Sequence, residues 1–143
     1  MTIRLAFAVN HNHVLEQKHF GEADQYLVYE WAANELIFRE ALPNPFAQLS
    51  RNNHSEAKRK QITELLQQHE VNVLVSRQFG ENISKVNAFF VPVLVETSSP
   101  AQLILILKKQ MRWIEEEWQQ NAGNYKLFNL QKGTIKTSIN PKK

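Results

Sequence analysis

Histidines are the residues of this 143-residue chain best suited to binding chemistry. The chain has no cysteine, which excludes a thiolate nucleophile, a Cys-ligated zinc site and a thiolate-held iron–sulfur cluster. A metal must therefore bind through imidazole, carboxylate or backbone oxygen, or keep its own sulfur or oxygen ligands. Four histidines fall in two segments predicted to be loops: His11, His13, His19 and His54. The fifth, His69, lies at the end of a predicted helix and is not assigned to a site.

Alternating strands and helices are predicted to position these loops. The nearly unbroken apolar run at 3–9 is typical of a strand buried on both faces. The other predicted strands cover 25–31, 35–42, 71–75 and 89–95, the last one broken near Pro92. Two helices are predicted at 56–69 and within 80–88. A third, long helix is predicted to be N-capped by Ser99, with Gln102 as the capping-box partner, and to end before Gly123.

This order of elements predicts one α/β domain. Strand adjacency and right-handed crossovers favour a five-stranded mixed sheet of order 3-2-1-4-5, flanked by helices. The first three strands are expected to be antiparallel, and the fourth to run parallel to the first. The domain is assigned to residues 1–122, and residues 123–143 are expected to form a C-terminal extension or a hairpin.

The predicted topology brings three loops to one edge of the sheet. Because the first, third and fourth strands point the same way, the loops at 10–24, 43–55 and 76–81 leave from their carboxyl ends, where ligands of open α/β sheets collect. A helix beginning at Ser55 would add unpaired N–H groups there, and Arg51, Lys58 and Arg77 would add positive charge. The edge is therefore suited to an anion or a negatively charged metal cluster.

Several function classes lack the residues they need. Asp24 is the only aspartate, which disfavours two-metal nuclease chemistry, and the four glycines form no dinucleotide or Walker motif. The basic run 58–60 is better explained as the solvated face of a helix than as a nucleic-acid contact. No apolar run approaches the roughly 20 residues that span a bilayer. We expect a cytoplasmic protein that is not an enzyme.

Several local strings resemble the dinitrogenase iron–molybdenum cofactor biosynthesis family. The resemblance covers residues 3–95 and is strongest where a His-Phe-Gly string leads into an aromatic-rich strand. The matching strings are His19-Phe20-Gly21-Glu22-Ala23, Tyr26-Leu27-Val28-Tyr29-Glu30, Asn44-Pro45 and Gly80-Glu81-Asn82. The turn Ser76-Arg77-Gln78-Phe79 departs from the family in having less glycine.

The resemblance implies a ribonuclease H-like fold and a carrier function. Its edge would hold an iron–molybdenum or other metal–sulfur cluster for transfer to a donor or acceptor protein. By position, His19 is the first candidate for a metal ligand and His54 the second. The pocket is expected to lie among residues 10–21, His54 and residues 77–80, with Phe20, Gly21, Arg77 and Gly80 as its other cluster-binding residues. The alternative is an interaction or regulatory module that keeps the fold without metal and binds a protein through its last helix and tail.

Overall fold

The computed structural model describes residues 2–15, 19–46, 56–79, 83–131 and 135–137, with no side-chain description for 56–57 and 135–137. The strands are β1 (Ile3–Val9), β2 (Gln25–Ala32), β3 (Glu35–Pro43), β4 (Val73–Ser76), β5 (Val91–Leu94), β6 (Leu127–Asn129) and β7 (Ile135–Thr137). The α-helices are α1 (Glu56–Gln68), α2 (Ile83–Val86) and α3 (Pro100–Gln120), and Phe20–Glu22 form a 3-10 helix. Ser55, the predicted N-cap of α1, lies outside the described residues.

The strands form one mixed sheet in the order β3-β2-β1-β4-β5-β6-β7. Strand β2 is antiparallel to both β1 and β3, whereas β1, β4 and β5 are parallel neighbours. This confirms the predicted 3-2-1-4-5 order of a mixed sheet, but the sheet has two strands more than the five predicted. Beyond Gly123 the chain returns to the sheet as β6, parallel to β5, and β7 pairs antiparallel with β6.

Strand β1 separates two apolar layers. Leu5 and Phe7 belong to the cluster that packs under α3, and Ala6 and Ala8 belong to the cluster under α1. All four side chains are fully buried, as expected for a central strand covered on both faces. The small alanines leave room for Tyr26 and other bulky residues on the α1 side.

Helix α3 begins as predicted, but only half of the predicted capping box forms. The Ser99 hydroxyl accepts a hydrogen bond from the Gln102 backbone N–H at 3.3 Å. The Gln102 side chain does not return to Ser99; its Oε1 accepts from the Thr97 hydroxyl, and the Ser99 N–H donates to the same hydroxyl group. Among the described residues, no helix is long and apolar enough to cross a membrane.

Pro92 does not break β5, which is a correction of the sequence-based expectation. Proline is poorly tolerated inside a sheet because it cannot donate a ladder hydrogen bond. The neighbouring Val91 N–H donates toward β4, to the Asn72 carbonyl, so the Pro92 nitrogen faces the β6 side. Pairing with β6 begins only at Val93, opposite Phe128. Pro92 therefore lies before the first paired residues of β5 and β6, where its missing N–H costs no ladder hydrogen bond.

The segment after α3 is attached to the main core. Phe128 in β6 is fully buried in the cluster under α3, and the Tyr125 ring stacks on Trp118 with centroids 5.1 Å apart. The buried Glu117 carboxylate accepts a hydrogen bond from the Lys126 N–H at 2.7 Å. Removing this segment would therefore expose part of the core.

Candidate functional site

The carboxyl ends of β1, β3 and β4 lie at one edge of the sheet, as the strand pairing requires. We call the described segments at these ends, 10–15, 19–24, 44–46 and 77–79, the carboxyl edge. Two of them are joined directly, because the Phe20 N–H donates to the Gln78 carbonyl at 2.9 Å. The predicted sites around His19 and Arg77 therefore lie on adjoining segments of backbone.

The His19 side chain is half exposed at this edge. It immediately precedes the 3-10 helix, and its carbonyl accepts a hydrogen bond from the Glu22 N–H at 2.8 Å. The ring Nδ1 lies 3.8 Å from Glu22 Oε1, a distance at which the carboxylate is a neighbour but not a close hydrogen-bond partner. The imidazole is therefore accessible to a ligand from solvent.

Phe20 is 5% exposed, so its side chain packs inside and does not line the surface of the edge. Its ring lies against Tyr26 and Phe79, with centroids 4.7 Å and 5.8 Å apart. This stack connects the His19 segment to the turn after β4 through apolar contact. Phe20 therefore anchors the segment that carries His19.

The space around Gly21 would accommodate a larger residue than glycine. A Cβ atom at this position would lie 3.5 Å from Ile62 Cδ1, which is ordinary van der Waals contact. The Gly21 carbonyl accepts a hydrogen bond from the Asn44 side chain at 3.1 Å. The backbone of Gly21 is thus part of the hydrogen bonding that holds this segment.

Arg77 lies at an open cleft beside the His19 segment. The cleft has a volume of about 360 Å³ and is lined by Arg77, Gln78, Phe79, Ile83, Leu94 and Gln131. Arg77 is partly buried and forms no ion pair or side-chain hydrogen bond with another described residue. Its guanidinium places a positive charge at the cleft, and no described residue pairs with that charge.

The segment 10–15 of the carboxyl edge carries two further histidines, His11 and His13. His11 donates from its backbone N–H to Asp24 Oδ2 at 3.1 Å, and its ring Nε2 lies 3.6 Å from the same oxygen. His13 has a positive φ of 63°, a region in which histidine is more common than most residues. Asn10 stabilises the turn by accepting from the N–H groups of Asn12 and Val14. Asp24 therefore fixes the backbone of His11, while the His11 ring, like that of His19, has a carboxylate nearby but not at close hydrogen-bond distance.

Within the described ranges, no three His, Asp or Glu side chains come together as a metal-binding group. Two of the predicted site residues, His54 and Gly80, lie outside the described residues. Among the described polar side chains that a ligand could contact at this edge are the accessible imidazole of His19 and the guanidinium of Arg77.

Asn44 is the residue of this edge whose importance the sequence analysis did not recognise. It is 7% exposed, and its side-chain nitrogen lies within hydrogen-bond distance of three oxygen atoms of the His19 segment and β2. A buried polar side chain directly after a strand was the available signal, since such a group must find partners. Which partners it finds depends on the tertiary fold and cannot be read from the string Asn44-Pro45.

Comparison with known proteins gives one family. No curated protein matches the chain. The family model described as dinitrogenase iron-molybdenum cofactor matches residues 1–93, which is more than half of the 143 residues. The match includes the segments of His19, Asn44 and Arg77 and ends before α3. The chain therefore belongs to the dinitrogenase iron-molybdenum cofactor family.

Proposed function

We propose that this protein binds an iron–molybdenum or iron–sulfur cluster at the carboxyl edge and carries it to another protein without catalysing a reaction. His19 is the proposed metal ligand, and Arg77 contributes charge. The proposal is supported above all by the 2.9 Å hydrogen bond from Phe20 N to the Gln78 carbonyl, which joins the segments of these two side chains. His54 and Gly80 keep the roles that the resemblance implies.

The chemistry of the edge suits cargo that must later be released. A metal–sulfur cluster is anionic and brings its own sulfide ligands, which reduces the number of metal positions left for the protein to fill. An imidazole can occupy one iron position and a guanidinium can offset part of the negative charge. Few bonds to the carrier also lower the barrier to transfer. The expected partner is therefore a protein that donates or accepts the cluster, in the cytoplasm.

Anaerobic cluster uptake tests the proposal. The purified protein is incubated with isolated iron–molybdenum cofactor or with an iron–sulfur cluster assembled from ferrous iron and sulfide, and bound metal is measured after desalting. We expect stoichiometric uptake, and we expect His19→Ala to weaken it about 10-fold or more, since even partners of a metal ligand contribute that much. His69→Gln is the matched control, because His69 contacts Glu40 on the outer strand β3.

Two outcomes would contradict this function. One is a wild-type protein that takes up no cluster under either condition. The other is uptake that is unchanged when His19→Ala and His54→Ala are combined. Loss of uptake in the His69→Gln control would instead mean that the assay responds to folding, which is checked by the circular dichroism spectrum.

The alternative function, an interaction module, is supported by the outer face of α3. Leu105 and Trp113 are 65% and 45% exposed, and the Arg112 guanidinium lies 5.3 Å from the Trp113 ring centroid. Truncation after Gly123 is a poor test because it removes buried Phe128. The substitutions Leu105→Gln and Trp113→Gln leave the core intact. If they abolish co-purification with a nitrogenase-related protein while wild type takes up no cluster, the interaction module is favoured.

A further inference from the structure

Asn44 uses almost all of its hydrogen-bonding capacity on the segment that carries His19. Its Nδ2 lies 2.8 Å from the Ala23 carbonyl, 3.1 Å from the Gly21 carbonyl and 3.2 Å from the Tyr26 hydroxyl. Its backbone N–H donates to the Asp24 carbonyl at 3.1 Å. One side chain after β3 thus holds the backbone on both sides of Glu22.

Tyr26 extends this arrangement to the residue next to His19. Its hydroxyl donates to the Phe20 carbonyl at 3.0 Å and receives an N–H from Asn44. Complete burial raises the pKa of the Tyr26 hydroxyl far above its usual range, so the group remains protonated and can donate. The carbonyls of Phe20, Gly21 and Ala23 therefore all accept from this side-chain pair.

The hydrogen-bond directions require an amide at position 44. The two Nδ2 hydrogens are shared among three acceptors, the Gly21 and Ala23 carbonyls and the Tyr26 hydroxyl, while Oδ1 accepts from the Phe46 N–H at 3.1 Å. An aspartate would keep the acceptor but place a carboxylate against carbonyl oxygens, and an alanine would leave two carbonyls without this donor. Neither substitution changes the surface chemistry of His19 itself.

We propose that Asn44 is a positioning residue that fixes the backbone of the His19 segment and thereby the position from which the imidazole reaches the cluster. This inference rests on the proposed function. Partners of metal ligands that orient the ligand typically contribute 10–100-fold in affinity. Asn44 acts through the backbone at Gly21 and Ala23, and it touches neither the cluster nor the imidazole.

Asn44→Ala and Asn44→Asp test the proposal against a matched control, Asn87→Ala. Asn87 is equally buried and also donates to a carbonyl, that of Tyr125 at 3.0 Å, but it lies between α2 and the segment before β6. We expect both Asn44 variants to bind the iron–sulfur cluster at least about 10-fold more weakly. We also expect them to lose the nitrogen hyperfine coupling of the imidazole in the paramagnetic cluster. Asn87→Ala should change neither.

Affinity and hyperfine coupling that persist in folded Asn44 variants would overturn the inference while leaving the proposed function intact. If the wild-type protein takes up no cluster, the proposed function fails, and amide exchange in the metal-free protein tests the remaining part of the inference, that Asn44 fixes the backbone of the His19 segment. The Glu22 and Ala23 amides, which donate to the carbonyls of His19 and Phe20, should then exchange at least about 10-fold faster in Asn44→Ala. Unchanged protection would overturn the inference. If Asn44→Ala does not fold, Asn44→Asp alone carries these measurements.

Discussion

Two polar regions of this molecule differ in how closely their charged side chains are paired. Around the start of β1 and the outer strand β3, charged side chains are paired with each other. Arg4 and Arg39 both contact Glu30, at 3.2 Å and 3.0 Å, and His69 contacts Glu40 at 3.0 Å. We call these five residues the charged network. At the carboxyl edge, the neutral Asn44 side chain bonds to backbone carbonyls, and the two His–carboxylate pairs are longer, at 3.6 Å and 3.8 Å. Arg77 has no ion-pair partner among the described residues.

The difference indicates which region is structural and which is available to a ligand. Paired charges have already exchanged water for each other, so a new ligand would have to displace an existing partner. An imidazole and a guanidinium without close partners can bind an anionic group without that cost. A histidine is therefore a stronger ligand candidate when its nearest described carboxylate is more distant, as at His19 (3.8 Å), than when it forms a close pair, as at His69 (3.0 Å).

The largest effect that would sharpen this comparison is expected from Phe20→Ala. Removing a ring packed between Tyr26 and Phe79 leaves a cavity beneath the carboxyl edge, and such substitutions cost about 3–5 kcal/mol. Urea denaturation measures the free energy of unfolding. Phe38→Ala is the control, because that ring is 49% exposed and should cost much less. Equal losses of unfolding free energy in both variants would mean that Phe20 does not pack more tightly beneath the carboxyl edge than an exposed ring does.

A smaller effect is expected in the charged network, where Glu30→Gln should alter the pH dependence of stability. The hydrogen bond from Arg39, with its charge and that of Arg4, lowers the pKa of Glu30 below its usual 4.5. The ionised form is favoured in the folded state, so this stabilisation is present at neutral pH and is lost as the pH falls through the lowered pKa. Thermal unfolding from neutral to acidic pH should show a weaker acid dependence in Glu30→Gln. An unchanged profile would show that this network does not contribute.

The smallest effect on stability is expected from Arg77→Gln. Since Arg77 has no described ion-pair partner, its replacement should change the free energy of unfolding by no more than about 0.5 kcal/mol. The same substitution should weaken cluster uptake, because a positive charge beside the cleft is lost. Arg39→Gln should show the reverse pattern, with a small loss of stability and normal uptake. A stability loss in Arg77→Gln larger than that in Arg39→Gln would remove the distinction between the two regions.

The sequence predicted the sheet well because its signals are local. The apolar run of β1 and the stripe of α3 are visible in any short window, and chain-order rules then favour one strand order. Pro92 was misjudged because its effect depends on where the neighbouring strand begins. The contacts of Asn44 could not be predicted, since they join residues about twenty positions apart along the chain. The ligand roles of His19 and Arg77 stay predictions, and those of His54 and Gly80 fall outside the described residues.

The long helix α3 and the buried Phe128 have a practical consequence for protein production. The family match ends at residue 93, yet the layer that covers one whole face of the sheet comes from Leu103, Leu107, Met111 and Ile114, with Phe128 beside them. A fragment cut at the end of the family match would expose the apolar side chains of β1, β4 and β5 on that face. Such a fragment is expected to accumulate as insoluble aggregates, so expression of this protein should include the chain through β6.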